Sequence, residues 1–74
     1  MANDNENDLR MKLDFYLKEK IMVHVELNNK KFLNARIIEK KSENIYIINE
    51  RVFGIMHLFI SDIYSLSEFV EGRK

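Results

Sequence analysis

The 74-residue chain contains no cysteine, no proline and no tryptophan, and only two glycines. Without cysteine it forms no disulfide and no thiolate metal site, and it shows no mark of secretion. No apolar run reaches the roughly 20 residues needed to cross a bilayer as a helix, and no signal peptide is expected ahead of the domain. The expectation is one small intracellular domain working in the cytoplasm. No internal repeat or low-complexity linker divides it. A core this small is marginal alone, so self-association is expected to support it.

Charge of neither sign dominates, since 12 basic and 12 acidic side chains cancel. Asp4, Glu6 and Asp8 make the first eight residues an acidic segment, expected to be a disordered tail. Residues 9–66 carry ten Lys or Arg against seven Asp or Glu, a mild positive bias that permits nucleic-acid binding without requiring it.

What is present is periodicity. Leu9, Leu13, Tyr16 and Leu17 recur at helical spacing behind Asp8, a plausible cap. From Ile21 the period becomes two: Ile21, Val23, Val25 and Leu27 face one way, Met22, His24 and Glu26 the other. Asn28, Asn29 and Lys30 supply turn chemistry, after which Leu33, Ala35 and Ile37 resume the inward face. A third strand is expected over residues 45–48 and a fourth over 52–60, bent at Gly54. A short fifth follows over 63–66, with a frayed tail over 67–74. One helix followed by five short strands suits a mostly β domain: a small, strongly bent antiparallel barrel with the helix over one opening. An open meander is the alternative.

The order and spacing over residues 9–66 resemble the Sm-like family, in its Hfq-like form. Val23, Val25 and Leu27 occupy the apolar positions of the first motif, and Asn29 matches its turn Asn. Leu33 and Ile37 are also in place. Lys30 and Ala35 stand where the family has Gly, Lys41 stands at its loop Asp and Ile45 at its loop Asn, with Asn44 one residue early. Residues 59–63 have the length and rhythm of the closing strand, turn and strand, with Ile60 at the Hfq-like Lys and Ser61 at the His.

The resemblance implies a single-stranded RNA-binding protein, a chaperone or scaffold built as a hexameric or heptameric ring. U-rich or A-rich RNA would be its partner. The implied RNA surface gathers Arg36, Lys40, Lys41 and Asn44; Phe32 and Tyr46, on the face opposite their strands' inward sets, either stack bases or pack at a subunit interface or against the helix. Glu43 stands where a stacking residue is expected. The ordinary reading of these charges is a solvated face. The implied subunit interface is Phe53, Ile55, His57 and Phe59 of the fourth strand with Ile63 of the fifth, since the fourth strand is apolar on both sides and would aggregate if left uncovered. The runner-up is an Sm-like protein-interaction module that has lost its RNA pocket.

Two histidines, His24 and His57, without metal-like spacing argue for no metal and no cofactor. No nucleophile, base and orienting group stand at recognisable spacing, so no enzyme is expected.

Overall fold

A computed structural model describes residues 5–69. The chain runs α1 (Glu6–Glu19), β1 (Met22–Leu27), β2 (Phe32–Ser42), β3 (Ile45–Glu50), β4 (Gly54–Phe59), a 3-10 turn (Ile60–Asp62) and β5 (Ile63–Glu68). Helix α1 begins earlier than its apolar spacing suggests. The Asn5 side chain, not that of Asp8, is the cap, and it accepts from the Asp8 backbone N–H at 2.9 Å. Glu6 and Asp8 in the first turn and Lys18 in the last suit the helix dipole. The segment expected as an acidic tail is therefore helical from Glu6; its first four residues lie outside the described ones. Lys20 ends the helix in the left-handed region, at φ 59°.

The five strands form one antiparallel sheet in the order β4-β3-β2-β1-β5. The sequence reading leads to a closed barrel, and here it is corrected. Strands β4 and β5 do not pair, so the sheet is open and has two edges. A closed barrel needs those edges to meet, and with the barrel goes the structural basis for an Sm-like, Hfq-like domain. Residues 67 and 68, expected to fray, belong to β5; residues 70–74 lie outside the described ones.

The core collects one face of the sheet under the helix. Leu9 and Leu13 of α1 pack with Val23 and Val25 of β1, Leu33, Ala35 and Ile37 of β2, and Tyr46 and Ile48 of β3. The alternation of β1 and β2 predicts these faces. Strand β3 does not follow the expectation. Its inward residues are Tyr46, Ile48 and Glu50, so Tyr46 is fully buried rather than an outward stacking ring. Bulges in β2 between Ile37 and Glu39 and between Lys40 and Ser42 set the registers. They place Arg36 opposite Asn49, Glu39 opposite Ile47 and Lys40 opposite Tyr46.

The Tyr46 hydroxyl donates to Asp14 Oδ1 of the helix at 2.6 Å. Burial pushes the phenol pKa above its ordinary value, and the bond to the Asp14 carboxylate pushes it further. A raised folded-state pKa gives stability that is complete below the unfolded value near 10 and falls as pH rises beyond it. Tyr46→Phe is expected to lower stability by about 1 kcal/mol at neutral pH and to lack this alkaline loss, checked by denaturant melts at neutral and alkaline pH.

Candidate functional site

Exposed apolar side chains of the sheet lie on β2, at Phe32 and Ile38, and along the β4 edge, at Ile55 and Phe59. In β4, Leu58 points inward and is buried, with Met56 partly buried on the same side. Ile55, His57 and Phe59 point outward; Ile55 is 63% exposed and Phe59 44%. Register with β3 sets Ile55 beside Asn49, His57 beside Ile47 and Phe59 beside Ile45. The outer face of this corner is thus an apolar row broken by one histidine. Because β4 pairs only with β3, about half of its backbone N–H and C=O groups face away from the sheet.

The turn before β4 extends the surface: Val52 is 81% exposed and Phe53 70%. Glu50 holds the backbone of these two residues in place. It is 5% exposed, and its Oε1 accepts the backbone N–H groups of Val52 at 2.6 Å and Phe53 at 2.8 Å. Its Oε2 accepts the Asn34 N–H at 3.1 Å, while the Arg51 N–H donates to the Asn34 carbonyl at 2.9 Å. Burial alone would raise the Glu50 pKa. The backbone N–H groups of Phe53, Asn34 and Val52 overcome it and hold the carboxyl below its ordinary value, with help from the Arg51 charge. Gly54, at φ 84°, then lets the chain leave the turn into β4, a conformation that costs a side chain about 1–2 kcal/mol.

The other edge is guarded differently. Strand β5 ends in exposed Ser67 and Glu68, and the Asn28 backbone and side-chain N–H groups donate to the Asp62 and Ser61 carbonyls next to its start. Polar and charged groups of this kind blunt an edge. Apolar side chains leave β4 open.

The structure separates the residues expected to bind RNA. Lys40 lies on the helix side of the sheet, 3.5 Å from Asp14 and 3.6 Å from Glu43, with its ammonium over the Tyr46 ring. Arg36 is exposed on the opposite side, where it lines a shallow groove with Met22, Asn49 and Arg51. Lys41 is exposed at the end of β2, and its Nζ donates to His57 Nε2 at 3.5 Å. The loop expected to take a base is occupied by the helix: Arg10 donates to the Asn44 side chain at 2.7 Å and to the Glu43 carbonyl at 2.9 Å. Phe32 is exposed but stacked on His24, with 5.3 Å between ring centroids. Lys40 is thus on the helix side and already ion-paired, while Arg36 and Lys41 lie on the other face, so the three cations do not make one phosphate-facing patch.

Of the residues expected at a subunit interface, Phe53, Ile55, His57 and Phe59 are exposed together, whereas Ile63 is buried in the core. The sequence reading missed Glu50 and Arg10. Glu50 reads as an ordinary polar residue closing a strand, and Arg10 as one of several helix charges, with its partners more than thirty positions away.

Among the described residues, no cluster of three or more His, Asp or Glu side chains could hold a metal, and no helix is long and apolar enough to cross a membrane. Compared with known proteins, the chain matches no family model and no curated protein. The open sheet and the absence of a family match remove the Sm-like and Hfq-like reading. With it go the RNA chaperone, the RNA partner, the hexameric or heptameric ring and the Sm-like interaction module.

Proposed function

We propose that this chain is a non-catalytic docking domain that works in the cytoplasm and takes an extended segment of a different polypeptide as an added strand against β4. One observation carries the reading: β4 is an edge strand whose unpaired backbone lies beside exposed Ile55 and Phe59. Strand addition draws affinity from main-chain hydrogen bonds and selectivity from alternate side chains, and β4 offers both. The Val52 and Phe53 turn, fixed by Glu50, lengthens the apolar surface without loosening it. The lack of cysteine suits a reducing compartment.

Panning the full chain against displayed extended peptides, randomised at alternate positions, tests this. Peptides with apolar residues at those positions are expected to be retained, and Ile55→Lys is expected to weaken their binding about tenfold or more. Truncating or charging a central apolar anchor has effects of this size. Failure to recover such peptides, or equal retention by Ile55→Lys with its circular dichroism unchanged, would overturn the proposal.

A further inference from the structure

The outward row of β4 is not uniformly apolar, and its one polar position is electropositive. We propose that the strand docked on β4 carries an acidic side chain between two apolar ones, in the pattern apolar, any, acidic, any, apolar. This inference rests on the docking reading above and names the chemistry of the partner.

Successive residues on one face of a strand are two apart, so a partner lying against β4 sets three same-face residues opposite Ile55, His57 and Phe59. The outer two meet exposed hydrocarbon. The middle one meets His57, and with it the Lys41 ammonium, which reaches across from β2 to donate to His57 Nε2 at 3.5 Å. Among the described residues no carboxylate lies within ion-pairing distance of Lys41. Lys40 differs, since Asp14 and Glu43 already neutralise it. Glu39, two positions before Lys41 on β2 and opposite Ile47, makes no ion pair with it. Lys41 is therefore a cation held at the rim of an apolar row, with its countercharge still to be supplied. A directly opposed carboxylate on the added strand supplies it, and a directly opposed Lys or Arg would face a like charge.

The test uses the full chain and a displayed peptide library with Thr at alternate positions and the three intervening positions randomised. The expected yield has apolar residues at the outer two positions and Asp or Glu over Lys or Arg by about tenfold at the centre. Lys41→Glu, an exposed substitution, is expected to reverse the central preference while keeping the outer two. Apolar outer positions with an indifferent centre would overturn this inference and leave strand docking standing. No apolar enrichment at all would overturn strand docking itself. Light scattering that shows association of the chain with itself, with no peptide retained, would identify a second copy as the occupant and also overturn the proposal.

Discussion

Glu50→Ala is expected to destabilise the protein by about 3–5 kcal/mol, a large share of the roughly 4–11 kcal/mol typical of a domain this size. The side chain is 5% exposed, and its two oxygens serve three backbone N–H groups, those of Asn34, Val52 and Phe53. Removing it leaves three donors short of an acceptor and frees the β3–β4 turn from β2. Glu50→Gln is the milder probe, expected to cost about 2 kcal/mol, because one acceptor oxygen becomes a donor facing donors. The native chain and Glu50→Gln should also differ in acid. The Glu50 pKa is lower folded than unfolded, so the unfolded chain takes up the proton first as pH falls. Stability from this group is complete above the ordinary carboxylate range. It is lost as pH drops through that range and then through the lower Glu50 value. Denaturant melts from neutral to acid pH should show this loss in the native chain, and Glu50→Gln should lack the Glu50 share of it.

The second large effect is expected at Leu13→Ala. Leu13 is fully buried at the centre of the α1 face, next to Leu9 and over the β2 and β3 side chains of the core. Truncating a buried leucine costs about 2–5 kcal/mol, depending on how far the site collapses. A helix of 14 residues is marginal by itself, so the loss should appear as lowered helicity as well as a lower midpoint. The polar ties between helix and sheet, Arg10 to Asn44 and Tyr46 to Asp14, position α1. They do not replace its apolar contact with the core. Thermal unfolding followed at a helix-sensitive wavelength checks this, and Met11→Ala, at a 70% exposed position on the same helix, serves as the control with little expected change.

The parts of this fold that local pattern governs are legible in the sequence. The Leu9 and Leu13 stripe, the inward sets of β1 and β2, and the Asn28–Lys30 turn follow from spacing and turn chemistry. Strand β3 is not legible in this way. Its residues Ile45, Tyr46, Ile47 and Ile48 are apolar on both sides, so alternation gives no inward face, and the β2 bulges shift the phase on which counting by twos depends. That is why the sequence leaves Tyr46 open between an outward stacking ring and a ring packed against the helix; it lies in the core, bonded to Asp14 of the helix. Closure is likewise invisible locally, because whether β4 meets β5 depends on twist and stagger summed over five strands.

The candidate site shows the same division. Alternation along β4 marks Ile55, His57 and Phe59 as one row, and the sequence does bring them to one face. It does not show that the opposite row alone is buried, nor that Lys41 reaches His57 from a different strand. The role of Glu50 is hidden because its partners are backbone N–H groups, which no residue type announces.

The most direct test of strand docking is site-resolved amide hydrogen exchange of the full chain, with and without a peptide selected on it. The account predicts that the alternate β4 amides facing away from β3 exchange freely in the isolated chain and become protected when the peptide binds, while the β5 amides do not change. Protection that appears at β5 or on the helix, or peptide binding that leaves every β4 amide as exposed as before, would contradict it.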